Sequence, residues 1–437
     1  MVIYTQTLFS LPVTGIGEFF DMKIFFFFLF IFVNAFDFVV ESLNLAYMRR
    51  NGDKVPEILR GEVDVETLRR ISAYTEEKAR FGVFAGIFNA IVVLSFIYGG
   101  LLDVFNSWVV SLKLSFVPSG IVFFLLLTVA GTVVSVPFSL YSTFRIERRF
   151  GFNRMTFGLW IKDFVKSLAL TLILMTILVS AALFVVEMSP ELWWFWVWCL
   201  FLAFSIFLMY ISPYIIEPLF NKYTTVNDEG LVEGIREMMK KAGINVSQVF
   251  RMDASRRTGH TNAYFTGIGR VKRIVLFDTL LDRLGRDEVI SVLAHEAGHW
   301  KKHHILKMIA VTEAVALLGL YLSHSLMSSD LLTEAFAIHE NTFYAKAVLI
   351  MFIGSVVLYP LSPLFNYLSR RHEVEADRYA VEITGGAGYL KNALIKLVRD
   401  NLSNLYPHPL YAALHYSHPP VLERLKGLQD NELKAAG

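Results

Sequence analysis

Long apolar stretches alternate with polar segments along most of the chain. A helix needs about 20 mainly apolar residues to cross some 30 Å of hydrocarbon. The sequence therefore predicts seven membrane spans, at 24–47, 81–102, 119–141, 167–187, 192–216, 305–326 and 345–368. The composition agrees, because 54% of the residues are hydrophobic and only 18% are charged. We expect a mainly α-helical membrane protein.

The polar segments between the predicted spans differ in their Lys and Arg content. Segment 49–80 carries eight of these cations, whereas Lys113 is the only one between spans two and three and segment 327–344 has none. Because cytoplasmic loops are enriched in Lys and Arg, we expect the N-terminal segment 1–23 to lie outside or in a lumen. The same rule places the C-terminal segment 369–437 in the cytoplasm.

Two polar segments are long enough to fold outside the membrane. Segment 217–304 contains a helical pattern at 228–244 and three short strand-like runs at 246–253, 261–269 and 272–280. We expect it to form a small cytoplasmic α+β domain together with the C-terminal segment. The predicted order is an extracytoplasmic N-terminus, five spans, the first soluble part, two spans and the second soluble part, at 1–23, 24–216, 217–304, 305–368 and 369–437.

The motif "LAHEAGHWKKHH" lies in a helical pattern that begins at Arg286 and runs into the sixth span. No strong helix breaker interrupts this pattern, so we predict one continuous helix from the motif through the span. The chain also has a single cysteine, Cys199, which cannot form an internal disulfide. The net charge of +2 gives no indication of a nucleic-acid partner.

Within this motif, His295 and His299 are four residues apart and share one helix face. Both can ligate one metal ion while Glu296 leans toward a metal-bound water, an arrangement that suits zinc. The alternative is a cationic helix end with histidines at the membrane interface. We interpret the neighbouring His303 and His304 as interfacial residues of that kind.

A catalytic zinc needs a third protein ligand and an open fourth position. The segment "SRRHEVEADRYA", which follows the seventh span on the same predicted side, offers three carboxylates. Glu373 and Asp377 share one helix face, so one can ligate the metal while the other orients a ligating histidine. Glu375 points away from that face. The alternative is a solvated, charged helix end.

Four motifs, in chain order "NAYFTG" with "RIVLFDTLL", "HEAGHW", "RRHEVEAD" and "HYSHPPVLERL", resemble the Ste24-type CAAX prenyl proteases, which are integral membrane zinc metallopeptidases of the gluzincin class. The resemblance implies one zinc ion per chain, held by His295, His299 and Glu373. It implies that Glu296 is the general base and that Asp377 orients a ligand. It also implies a barrel of seven helices around a water-filled chamber.

The same resemblance assigns residues around the substrate. His418 and Arg424, in "HYSHPPVLERL", correspond to family residues near the site and are expected to donate hydrogen bonds to the oxyanion. Asn262 and Ala263 begin an expected edge strand to which the substrate adds as a further strand.

Three functions are open at this point. The resemblance implies a zinc endopeptidase that removes the C-terminal tripeptide from prenylated CAAX proteins, with a peptide or protein substrate and the bilayer as its partners. A quality-control metalloprotease of the same fold, acting on membrane proteins without a prenyl group, is the alternative. A transporter with a structural zinc is disfavoured, because such sites have four protein ligands, typically cysteines, and Cys199 lies in a span.

Overall fold

The computed structural model describes residues 15–266 and 271–436. The predictions for residues 1–14 and for the end of the strand-like run at 261–269 lie outside the described residues. Helices dominate the described part: α1 Gly15–Asn51, α2 Val65–Ile97, α3 Leu101–Ser111, α4 Phe116–Tyr141, α5 Phe157–Met188, α6 Trp193–Ile211, α7 Glu217–Phe220, α8 Glu229–Lys241, α9 Asp278–Leu281, α10 Arg286–Lys301, α11 His304–Met327, α12 Leu331–Ala335, α13 Phe343–Val357, α14 Ser362–Thr384, α15 Gly388–Asp400, α16 Pro409–His415 and α17 Val421–Ala436.

One small mixed sheet accompanies the helices. Its strands are β1 Tyr223–Thr225, β2 Asn245–Met252, β3 Ala263–Thr266 and β4 Val271–Phe277, in the spatial order β1-β2-β4-β3. Strands β2 and β4 are parallel, and the other two pairs are antiparallel. The predicted strand-like runs correspond to β2, β3 and β4. Strand β3 forms one edge of the sheet.

Six helical segments in the described part are long and apolar enough to cross a membrane: Met22–Asn51, Val65–Ile97, Phe116–Glu147, Phe157–Met188, Trp193–Phe220 and His304–Met327. In the 18-residue apolar stretch of each segment, no more than 11% of the residues are buried inside the protein. Such extensive exposed apolar surface indicates contact with lipid rather than water. The prediction of a mainly helical, multi-span protein is confirmed.

The seventh predicted span is not one straight helix. Helix α13 ends at Val357, and the following helical segment from Tyr359 is bent by 44° relative to it. Pro360 and Pro363 lie at this bend, and each lacks a backbone N–H and disfavours helical conformation in the preceding residue. Beyond the bend, α14 packs against α10. The sheet and the helices α8, α10, α14 and α15, which pack together, are called the sheet domain.

The prediction of one continuous helix from the histidine motif through the sixth span was wrong. Helix α10 ends at Lys301 and α11 begins at His304. Between them His303 has φ +57°, in the left-handed region. This conformation interrupts the hydrogen-bond ladder and turns the chain between the two helices. A histidine does not signal such a break in the sequence, because the left-handed conformation is favoured mainly by glycine.

The apolar helices form a closed ring of neighbours. Helix α1 packs against α2, and α2 packs against the segment Ser142–Glu147 that extends α4. The ring continues from α4 to α5, α6, α11 and α13, each of which packs against the next, and it closes because α13 packs against α1. A cavity of about 1820 Å³ lies between α1 and α2 on one side and the sheet domain on the other. The hydrophobic core around α10 includes Ile235, Leu276, Leu293 and Leu394, and it continues into the first turns of α2 through Leu68 and Ile71.

Candidate metal centre

Helix α10 is fixed at its start by polar contacts. The Glu288 carboxylate accepts a hydrogen bond from the Gly285 backbone N–H at 2.7 Å and pairs with Lys396 Nζ of α15 at 2.7 Å. The first contact satisfies a backbone donor that the helix leaves free. The second ties the start of α10 to the neighbouring helix. These two contacts therefore fix the N-terminal end of α10, two turns before the histidine motif.

Helices α10 and α14 cross closely at Gly298. A Cβ atom added at Gly298 would lie 2.9 Å from Ala376 Cα, which is shorter than real Cβ contacts, and 3.1 Å from the Ala376 carbonyl oxygen, which is tighter than most of them. The glycine of the motif thus allows the two backbones to approach. Because the helices approach here, His295 and His299 of α10 face Glu373 of α14.

These three side chains converge on one point. His295 Nε2 lies 3.2 Å from His299 Nε2, and Glu373 Oε1 lies 3.1 Å from His299 Nε2. Glu373 Oε2, 3.4 Å from His295 Nε2, is buried and has no hydrogen-bond partner in the described part of the chain. Two imidazole nitrogens and a carboxylate directed at one another form a set of metal ligands, and a cation at their centre would satisfy the unpaired oxygen.

The ring of His295 is held from its other side. Its Nδ1 lies 2.7 Å from Asp377 Oδ1. Arg424 in turn donates to both Asp377 oxygens, from Nε at 2.9 Å and from Nη2 at 2.6 Å. All three side chains are nearly buried. A carboxylate at Nδ1 fixes the ring so that Nε2 faces the cluster, as in the supporting shell of many metal sites.

Burial and charge alter the acidity of two groups at the cluster. Although burial lowers the pKa of His295, its contacts with Asp377 and Glu373 outweigh burial and raise this pKa to about 9. Burial raises the pKa of Glu296, against the opposing effect of the two histidines. A carboxylate with a raised pKa is a stronger proton acceptor, and Glu296 faces the large cavity.

The remaining predicted residues also line this cavity. His418 Nε2 lies 3.4 Å from Glu373 Oε1, and its side chain is 64% exposed. Arg424 differs from the expectation of a free oxyanion donor, because two of its nitrogens are engaged by Asp377. Its third nitrogen, Nη1, lies 3.6 Å from Glu373 Oε2.

Asn262 and Ala263 lie at the start of the edge strand β3. Phe277 N–H of β4 donates to the Asn262 carbonyl oxygen, and Ala263 is paired with Leu276. Since backbone groups alternate in direction along an antiparallel strand, Ala263 directs its N–H and C=O away from β4. That N–H donates a hydrogen bond to the Asn262 side-chain oxygen, with 2.9 Å between nitrogen and oxygen. This strand edge borders the cavity.

His303 and His304 differ in exposure. His303 is exposed, but His304 is buried, so the interpretation of His304 as an interfacial residue was wrong. His304 is 2% exposed. Its Nδ1 lies 3.2 Å from His299 Nδ1, its Nε2 lies 3.1 Å from Glu375 Oε2, and its ring stacks on His372 at 4.1 Å. Helical spacing directs Glu375 away from the cluster, as expected, but no spacing rule connects it with His304.

The cavity combines two surfaces. Near the cluster it is lined by polar side chains, and along α1 and α2 apolar side chains such as Ile31, Phe38, Ile87 and Ile91 are interspersed with polar ones, among them Asn34, Asp37, Glu41 and Lys78. A molecule that fills it would therefore meet the ionisable groups of the cluster at one end and a mixed surface, partly hydrocarbon and partly polar, along α1 and α2.

Comparisons with known proteins agree with this architecture. Residues 44–222 match the family model described as the CAAX prenyl protease N-terminal region with five membrane helices. Residues 226–432 match the model of peptidase family M48. The two matched regions are adjacent and together cover most of the chain.

Individual relatives are similar over nearly their whole length. The chain is 34% identical to CAAX prenyl protease 1 of Saccharomyces cerevisiae, covering 87% of this chain and 90% of the relative. It is 32% identical to the human CAAX prenyl protease 1 homolog, with 86% and 88% covered. The crystal structure of S. mikatae Ste24p superposes with a TM-score of 0.85 at 32% identity, covering 93% of this chain and 98% of that one. The chain belongs to peptidase family M48 and, within it, to the CAAX prenyl proteases, and it is a multi-pass membrane metalloprotease.

Proposed function

We propose that this chain is a zinc endopeptidase that removes the C-terminal tripeptide from prenylated CAAX peptides or proteins. One observation carries the proposal: the cluster of His295, His299 and Glu373 opens, beside Glu296, into a cavity of about 1820 Å³ that is lined in part by apolar side chains of α1 and α2. The names of the relatives supply the CAAX substrate class. The cavity supports it, because a prenylated C-terminus joins a hydrocarbon chain to a polar peptide.

The ligand set favours zinc, one ion per chain. Three ligand atoms at 2.0–2.1 Å from a tetrahedral ion lie about 3.3 Å apart, and the separations in the cluster are 3.1, 3.2 and 3.4 Å. Mg²⁺ and Ca²⁺ prefer oxygen ligands alone. When bound, zinc would lower the pKa of a coordinated water and polarise the scissile carbonyl.

The protein's own groups move the protons. In this proposal Glu296 accepts a proton from the attacking water and later delivers it to the leaving amine nitrogen. Its position on the cavity surface and its raised pKa support both roles. Asp377, held by Arg424, keeps the His295 ring oriented. His418, exposed to the cavity beside Glu373, is our main candidate for the oxyanion donor, with Arg424 contributing through Nη1.

The peptide part of the substrate would add to the edge of the sheet. Ala263 directs its backbone groups away from β4, and hydrogen bonds to its C=O, and to its N–H once the Asn262 side chain turns away from it, would hold an extended peptide in fixed register. The Asn262 side chain lies beside the same position. The prenyl chain would lie against the apolar residues of α1 and α2.

The proposal also includes the placement in the membrane. We count the bent pair α13 and α14 as the seventh span and regard the ring of helices as a barrel around the cavity. The distribution of Lys and Arg supports an outside or lumenal N-terminus and a cytoplasmic active site.

The test is cleavage-site mapping by mass spectrometry with detergent-purified protein. One CAAX peptide is supplied in farnesylated and unmodified forms, and the Glu296→Gln variant is the control. The proposal expects cleavage directly after the cysteine, faster on the farnesylated form and absent with the variant. Equal cleavage of both forms would favour the quality-control protease. A zinc-loaded protein that cuts neither form would overturn the proposed function.

A further inference from the structure

His304 contacts a proposed zinc ligand from the side opposite the metal cluster. His299 Nε2 faces His295 and Glu373, whereas His299 Nδ1 lies 3.2 Å from His304 Nδ1. His304 Nε2 lies 3.1 Å from Glu375 Oε2. A chain of hydrogen bonds therefore leads from the cluster through two imidazoles to a carboxylate.

The break between α10 and α11 makes the first of these contacts possible. On a continuous helix, five residues advance by about 500°, so His304 would lie roughly 140° around the axis from His299. The left-handed conformation of His303 redirects the chain and brings the His304 ring next to the His299 ring. A non-glycine residue in this conformation costs about 1–2 kcal/mol. Such strain persists where the surrounding structure imposes it, often at functional sites.

Only one arrangement of protons satisfies all the contacts of a neutral His304. A metal at His299 Nε2 leaves the ring proton on Nδ1, which must donate to His304 Nδ1. The His304 proton then lies on Nε2 and donates to Glu375. With the opposite tautomer, two protons would face each other at one contact and two lone pairs at the other.

The His304 ring has little freedom to leave this position. It is 2% exposed and stacks on His372 with ring centroids 4.1 Å apart and planes within 8° of parallel. Its orientation is fixed by packing as well as by hydrogen bonds. Glu375 is 36% exposed and approaches the ring from the protein surface.

We propose that His304 and Glu375 act together as positioning residues that fix the orientation and tautomer of His299 as a metal ligand. The two histidine ligands would then be supported differently. His295 is held directly by a carboxylate, whereas His299 is held by a neutral imidazole that a carboxylate orients in turn. The proposal rests on the proposed zinc site.

The test measures the zinc dissociation constant of the full-length protein in detergent, by competition with a chromophoric chelator. We expect His304→Leu, which keeps most of the volume but removes the acceptor, to weaken zinc binding by about 10–100-fold. His304→Asn places an amide where Nδ1 was and is expected to restore most of the affinity. A purely packing role would give the reverse order, because Leu fills the buried site better than Asn.

Glu375→Ala extends the test to a residue at the surface, where folding is less at risk. We expect it to weaken zinc binding by several-fold, and Glu382→Ala, an exposed carboxylate on the same helix, to leave it unchanged. Equal zinc affinity of the wild type, His304→Leu and Glu375→Ala would overturn the inference. Failure of the wild type to bind one zinc would instead overturn the proposed metal site, so the two failures are distinguishable.

Discussion

Asp377 Oδ1 lies 2.7 Å from His295 Nδ1, although the two residues are on different helices and 82 positions apart in the chain. The same carboxylate accepts two hydrogen bonds from Arg424. We expect Asp377→Asn to weaken zinc binding by about 10–100-fold, because it removes the charge that orients the ring and that balances the buried guanidinium of Arg424. Zinc titration checks this, with Asp430→Asn on the surface of α17 as the control. Unchanged affinity would contradict the orienting role.

The proposed ligand and the proposed base should respond differently to substitution. Glu373→Ala removes one of three ligands, so we expect the protein to lose its bound zinc. Glu296→Gln removes only the proton acceptor, so zinc should be retained while kcat falls by about 10²–10⁴-fold. Metal content by mass spectrometry and kcat on one peptide distinguish the two. Zinc retained at full stoichiometry by Glu373→Ala would show that this ligand assignment is wrong.

The close crossing of α10 and α14 predicts that Gly298 tolerates no side chain. In Gly298→Ala the new Cβ would lie 2.9 Å from Ala376 Cα, and backbone cannot yield as a flexible side chain can. We expect a loss of about 1–3 kcal/mol in stability and weaker zinc binding, because Glu373 would move away from the histidines. Gly354→Ala, where an added Cβ meets no atom within 4 Å, is the matched control. Thermal unfolding and zinc titration in detergent measure both effects.

The edge strand predicts a variant that affects substrate binding alone. Asn262 borders the cavity and its side chain reaches the Ala263 N–H, but it is not part of the metal cluster. In the proposed complex the Asn262 amide turns to hydrogen-bond the peptide, so we expect Asn262→Ala to lower kcat/KM by about tenfold, mainly through a higher KM, since one or two hydrogen bonds of about 1 kcal/mol to the peptide are lost. Zinc content should stay the same. Asn227→Ala, an exposed residue away from the cavity, is the control, and an equal effect of both variants would contradict the prediction.

A pH-dependent contribution to stability is expected at the other end of the molecule. Burial raises the pKa of Asp103, but hydrogen bonds from the His339 backbone N–H and ring outweigh burial and lower this pKa below its usual value. A lowered folded-state pKa stabilises the fold above the unfolded value of about 3.8, and the contribution is lost as the pH falls through the folded value. Asp103→Asn should therefore reduce thermal stability at pH 7, by about 1 kcal/mol. This difference should shrink as the pH falls below about 3.8, and a difference that is constant with pH would contradict the assignment.

Several features of this protein could be predicted from the sequence because they depend on local patterns. The positions of the apolar helices follow from hydropathy, since the thickness of a bilayer sets the length of a span. The pairing of His295 with His299 on one helix face follows from helical periodicity. The family could be identified from four short motifs, and the comparisons confirm it.

Other features depended on contacts between segments far apart in the chain. Spacing alone could not distinguish the proposed ligand Glu373 from the orienting Asp377, because both lie on one helix face. Their environments differ only through the angle at which α14 crosses α10. The close backbone approach at Gly298 allows that crossing, and no local pattern revealed the break at His303 or the buried contact of His304. The sequence by itself determined which elements form and which residue types they carry, whereas the tertiary structure decided which side chains meet, because side-chain distances depend on how helices pack.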